Sequence, residues 1–154
     1  MSILDFLSYR NSREDNATDN HSDELDRKIC EINKFANELY SVADRDTAYP
    51  TNQADWTEDN RFFGHCAIVV AMVYNKFGGK IKRGVLKNLG YSHYWNNIDG
   101  IDIDATRVQF GKDEPIIDIS EVSIERILGN EETKNRYELL KQRYEEKYLF
   151  HTNE

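Results

Sequence analysis

Three residues of this sequence have the types that thiol-dependent acyl transfer requires: Cys66, His93 and Asp104. A thiol supplies the nucleophile, an imidazole moves the proton, and a carboxylate orients the imidazole. Cys66 sits in FFGHCAIVVAMVYNKFGG, residues 62–79, where a loop gives way to an almost unbroken apolar run. In the middle of such a run a thiol would be filler. At the first turn of the helix that the run predicts, it lies beside unpaired N–H groups and the partial positive charge of the helix end. Both favour thiolate, the nucleophilic form.

The spacing of His93 and Asp104 comes from a hairpin. Asp99-Gly100 is the strongest short hairpin signal in the chain. With these two as the turn residues, Ile98 pairs with Ile101 and paired numbers sum to 199. His93 then lies opposite Thr106, and Trp95 opposite Asp104. Paired and alternate residues share a face, so His93 and Asp104 become diagonal neighbours, roughly 7–8 Å apart by backbone and within side-chain reach. A one-residue slip would put them on opposite faces.

Other residues have narrower parts. Asp102 shares that face but lies nearer the turn, Asp99 belongs to the turn itself, and Asp118 is expected at a strand end. His65 adjoins Cys66, but successive helical residues point about 100° apart. It is therefore expected to line the cleft or cap the helix rather than to act as the base. An oxyanion needs donors. The Cys66 N–H is one, and Asn60, six residues upstream, is the candidate side-chain amide. Trp56, in the loop before Cys66, and Trp95 are expected to line the cleft, with Trp95 shielding the His93–Asp104 bond from water. His65, Cys66, His93 and Asp104 match no common zinc spacing, so neither a metal nor a cofactor is expected.

These side chains need elements to hold them. From Asp23 to Val42 the residues Leu25, Ile29, Ile32, Ala36 and Leu39 mark one face of an amphipathic helix, with Ser22 or Asp23 as its cap and Cys30 half-buried beside the stripe. Residues 65–77 predict a helix buried on all sides and stopped by Gly78 and Gly79. Strands are expected at KIKRGVL, SHYWNNI, IDIDATRVQF and PIIDI, then a short helix in ISEVSIERIL. A closing helix in NEETKNRYELLKQRYEEKY has Tyr137, Leu140, Tyr144 and Tyr148 as its stripe. The order is helices, sheet, helices: an α+β arrangement in which a central buried helix carrying Cys66 packs on a small antiparallel sheet between N- and C-terminal helices. Residues 1–22 read as an N-terminal extension, flexible over 10–22, and 23–150 as a single domain.

Composition limits the function classes. At 154 residues the chain can bury one core and not comfortably two. A net charge of −8 argues against nucleic acid, which needs a basic patch. The one basic cluster, KIKRGVLK, reads as a strand edge protected by lysines. No apolar stretch approaches the roughly 18–20 residues of a membrane helix, and MSILDFLSYR is a poor signal peptide. Cys30 and Cys66 form neither a disulfide framework nor a zinc pattern. The expectation is a cytoplasmic protein with reduced thiols. Its partner is expected to be a protein or peptide-like amide substrate.

Taken together, GHCA at the helix start, FGGKIKRG, SHYWN, DGIDIDATRVQF and NEETKNRYELLKQRY resemble the YunG family of small bacterial proteins, over roughly residues 50–148. That family tends to carry Gln where this chain has His65. The order Cys, His, Asp, with Cys on a helix and the others on neighbouring strands, is similar to the papain-like and transglutaminase-like superfamily. The similarity implies a core of that kind, with Cys66 as nucleophile, His93 as base and then acid, and Asp104 as the orienting group. It implies a cysteine peptidase, amidase or deamidase. The alternative is a non-catalytic binding module that retains the fold.

Overall fold

The computed structural model describes residues 19–110 and 113–150, so the extension expected before Asp19 lies outside the described residues. Helix α1, Asp19–Val42, begins four residues before the expected start at Asp23, inside the segment read as linker. Ile32, Phe35, Ala36 and Leu39 are buried along it, as the stripe requires, while Leu25 and Ile29 pack at its margin. Cys30 is exposed rather than half-buried. It stands about 100° round the helix from Ile29, away from the stripe.

Helix α2, Cys66–Phe77, is the centre of the molecule. Ile68, Val69, Val70, Ala71, Met72 and Val73 are all buried, because α1, the C-terminal helices and the sheet pack around it. Each large aliphatic side chain buried there is worth about 1.5–3 kcal/mol. The helix ends where Gly78 turns to φ 79°, its N–H donating to the Tyr74 carbonyl at 2.8 Å.

The four strands are β1 (Lys80–Leu86), β2 (Ser92–Ile98), β3 (Ile101–Ile103) and β4 (Ile116–Val122). They form one antiparallel sheet in the order β3-β2-β1-β4. β1 is therefore internal, and the edge expected at its lysines belongs to β4. That strand is largely exposed and carries a bulge where Asp118 has φ 56°. Asp118 thus lies within a strand and not at its end.

The β2–β3 hairpin has the register expected from Asp99-Gly100. Ile98 pairs with Ile101, Asn97 with Asp102 and Asn96 with Ile103. Asp99 and Gly100 have φ 56° and 83°, the two positive values that a type I′ turn demands. The pairing stops there. The strand expected over 101–110 covers only Ile101–Ile103, and the chain leaves the sheet through a 3-10 turn at Arg107–Gln109. His93 and Trp95 pair instead with Gly84 and Lys82 of β1.

After β4 come α3 (Ile124–Leu128) and α4 (Glu131–Tyr144), which continues into a π-helical turn over Glu145–Leu149. The short helix starts later than its sequence suggests because β4 runs to Val122, and the Ser123 side chain caps α3 by accepting from the Arg126 N–H. Tyr137, Leu140 and Tyr144 of α4 are buried. Asn75 donates to the Tyr137 hydroxyl at 2.6 Å, tying α2 to α4. The fold is α+β, helices on a four-stranded antiparallel sheet. No helix among the described residues is long and apolar enough to cross a membrane.

Candidate active site

His93 lies near the start of β2 and is 1% exposed. Its Nε2–H donates to Asp104 Oδ2 at 2.7 Å. Asp104 is equally buried, and its other oxygen has no hydrogen-bond partner among the described residues. Among the described residues, the imidazole is thus the one hydrogen-bond partner of that carboxylate. Asp104 does not reach it as a paired strand residue. It is the first residue past the end of β3, and the turn that follows swings the carboxylate under the ring.

Nε2 is committed to Asp104, so Nδ1 is the ring nitrogen left for Cys66. Burial alone would push His93 down. The charge and hydrogen bond of Asp104, followed by those of Cys66, outweigh it and raise the ring from 6.5 to about 10. The carboxylate thus favours the protonated ring, with Cys66 acting in the same direction. Two aromatic rings enclose it. Trp95 stacks on it at 6.0 Å between centroids, and Phe110 meets it edge-on at 4.7 Å. Gly84 makes room for Trp95, since a Cβ there would come within 3.2 Å of the indole and 2.4 Å of Ile116. With water kept out, the charged hydrogen bond is stronger than it would be in solvent.

Cys66 is the first residue of α2, and the first bond inside the helix runs from Val69 N–H to the His65 carbonyl. The N–H groups of Cys66, Ala67 and Ile68 precede it and have no helical acceptor. Cys66 and His93 open onto a cavity of about 600 Å³. Leu86, Leu89 and Phe110 give it an apolar side, and Asn52, Thr133 and Arg136 a polar one.

His65 is turned the other way. It is fully buried, its Nδ1 faces the Phe63 carbonyl at 2.9 Å and its Nε2 faces Thr47 Oγ1 at 2.6 Å. A carbonyl only accepts, so Nδ1 carries the proton and Nε2 is left as an acceptor facing Thr47 Oγ1, whose hydroxyl also lies 3.0 Å from the Asp44 carbonyl. Burial is the main cause that lowers this ring to about 4, with Arg136 and Arg61 adding to it against the Phe63 bond. His65 occupies the N-cap position of α2 but its side chain caps nothing. It neither lines the cavity nor joins His93 and Asp104.

Asn60 also points elsewhere. Its Nδ2 donates to the Gln109 carbonyl at 3.2 Å, and it is not part of the cavity wall. Trp56 is buried between the guanidinium groups of Arg45 and Arg61, with its indole N–H on the Arg61 carbonyl. It braces the loop before α2 rather than the cleft. Trp95 touches His93 and not the cavity. Among the wall residues that the sequence spacing does not single out are Asn52, Gln109 and Phe110. They arrive from irregular segments, where no periodicity marks an inward face. Among the described residues, no group of three His, Cys, Asp or Glu side chains is placed to hold a metal ion.

A family model described as YunG protein matches residues 31–149, which is 119 of the 154 residues. The match begins inside α1, earlier than the motifs around the site, and takes in α2, the whole sheet and α4. No curated protein and no solved structure matches the chain. Matching from α1 through the C-terminal helices, the chain belongs to the YunG family.

Proposed function

We propose that this protein is a thiol-dependent acyl-transfer enzyme of papain-like or transglutaminase-like type. Cys66 is its nucleophile, His93 its proton carrier and Asp104 the group that orients His93. The observation that carries the reading is the buried His93 Nε2–Asp104 bond, with His93 and Cys66 on the wall of one cavity. A ring already protonated at neutral pH is a poor base for a hydroxyl. It is the cation that a thiolate pairs with, and it holds the proton that a leaving amine needs.

The steps balance without a cofactor. The Cys66 thiolate adds to an amide carbonyl carbon, and the π pair moves to oxygen. The tetrahedral species collapses, the C–N bond breaks, and His93 gives its Nδ1 proton to the departing nitrogen. Water or an amine then adds to the thioester while His93 takes its proton back, and the sulfur leaves as thiolate. The acceptor decides between hydrolysis and transfer. The expected substrate is a peptide-like amide.

The test is to trap the acyl-enzyme. Incubation of the full chain with p-nitrophenyl acetate, quenched in acid and mapped by mass spectrometry, is expected to place an acetyl group on Cys66. Cys66→Ala is expected to abolish the p-nitrophenolate burst. An acyl group found only on Cys30 or on lysines contradicts the reading and favours a binding module.

A further inference from the structure

We propose that Asn52 supplies the side-chain hydrogen bond to the oxyanion formed at Cys66. This inference rests on the acyl-transfer reading above. Four amide side chains lie in the loop before α2 and in the turn after Asp104, and three are already engaged. Gln53 Nε2 donates to the Ala48 carbonyl. Asn60 Nδ2 donates to the Gln109 carbonyl. Gln109 lines the cavity, but its Nε2 donates to Thr106 Oγ1 and its Oε1 accepts from the Gly64 N–H. Asn52 lines the same cavity as Cys66 and His93, and its side chain makes no hydrogen bond among the described residues.

Its placement is built into the backbone. Gly64, two residues before the nucleophile, has φ 77°, and a Cβ there would stand 3.0 Å from Asn52 Cβ, 3.1 Å from Tyr49 N and 3.2 Å from Asn52 Oδ1. The Tyr49 N–H donates to the Gly64 carbonyl at 2.9 Å, and the Asn52 N–H donates to the Tyr49 carbonyl at 2.8 Å. These two bonds fasten the 3-10 turn that carries Asn52 against the strand of chain entering α2. A side chain at position 64 would push it away. Glycine is thus required here both by its φ and by this close approach. The Cys66 N–H, free at the helix end, is the second donor. Together they form a two-point site of the kind that stabilises a tetrahedral oxyanion.

Two probes separate this role from a general effect on Cys66. N-acetyl-phenylalaninal suits the apolar wall and forms a hemithioacetal. The sulfur pair makes the S–C bond, the carbonyl π pair moves to oxygen, and the negative charge on that oxygen faces the proposed donors with the His93 imidazolium as its counter-charge. Iodoacetamide makes an S–C bond as C–I breaks and generates no oxyanion. Both are measured at Cys66 in a Cys30→Ser background, with the aldehyde Ki read from protection against alkylation. Asn52→Ala removes the amide, and Asn52→Asp keeps its shape while replacing its N–H donors with a carboxylate. Loss of one oxyanion donor typically costs about 10²–10³ in rate. Both variants are therefore expected to weaken the aldehyde by at least about tenfold, and the uncharged Asn52→Ala to leave the alkylation rate nearly as in the parent. Asn60→Ala is expected to lose less than either. Unchanged aldehyde affinity in both Asn52 variants overturns the assignment. So does a parallel fall in alkylation in Asn52→Ala, which would make Asn52 a support for Cys66 only, or a larger loss in Asn60→Ala. If the parent forms no adduct at Cys66, the acyl-transfer reading itself fails.

Discussion

His65 and His93 are both almost fully buried, yet one ring is lowered to about 4 and the other raised to about 10. Burial is the largest cause at each and pushes both down. What separates them is the company. His65 has a carbonyl, a hydroxyl and two nearby guanidinium groups. His93 has a buried carboxylate and a sulfur. The first arrangement satisfies a neutral ring and makes it a structural strut. The second stabilises an imidazolium beside a cavity. A buried histidine is therefore not a site in itself, and the sign of its shift says which kind it is.

Removing each ring is the strongest way to separate the two. His93→Ala leaves Asp104 buried without its counter-charge, and breaking such a pair costs about 3–5 kcal/mol. His65→Ala leaves the Phe63 carbonyl without the ring, which costs about 1–3 kcal/mol, while the Thr47 hydroxyl keeps its bonds to Asp44. Urea denaturation of the two variants is expected to give that order. An equal or reversed order would remove the distinction.

The pH dependence of stability sharpens it. Below pH 6.5 the unfolded chain takes up a proton at position 65 that the folded ring refuses until about 4, so His65 lowers stability as pH falls from 6.5 to 4. His93 runs the other way. Its folded value of about 10 exceeds its unfolded 6.5, so its contribution is complete below 6.5 and is lost as pH rises towards 10. Stability is expected to peak near neutrality. His65→Gln should flatten the acid limb, and Asp104→Asn the alkaline limb. If each variant flattens the other's limb, the two assignments are exchanged.

A milder perturbation tests how His93 is held. Gly100→Val puts a β-branched residue at φ 83° and is expected to cost about 1–3 kcal/mol. His93 sits on the strand that this turn orders, so Cys66 reactivity should fall with it. The smallest effect is expected for His65→Gln. Glutamine can still donate to Phe63 and face Thr47, and position 65 touches neither His93 nor the cavity, so Cys66 alkylation should stay within about twofold of wild type.

The sequence makes some of this legible and hides the rest, for physical reasons. The β2–β3 register could be read because Asp-Gly fixes a two-residue turn and strand faces alternate with period two. The start of α2 could be read because an apolar run and two glycines bound it. The approach of Asp104 to His93 was legible from spacing, but not its route, since the chain leaves the sheet after Ile103, before Asp104 can pair with Trp95. The internal position of β1 and the wall formed by Asn52, Gln109 and Phe110 depend on segments that meet across long stretches of chain. Gly64 N–H to Gln109 Oε1 spans 45 residues, and no local pattern encodes such a contact.

The central claim is that His93 and Cys66 work as a pair. Its most direct test is the rate of Cys66 alkylation by iodoacetamide at pH 7, in a Cys30→Ser background, for the parent and His93→Gln. Glutamine can still donate to Asp104 but holds no titratable proton, so the fold is spared while the ion-pair partner is removed. A rate at least about 100-fold lower in His93→Gln, the lower end of what a positioned proton-transfer group contributes, with unchanged circular dichroism, is the predicted result. Equal rates in the two proteins would contradict the account.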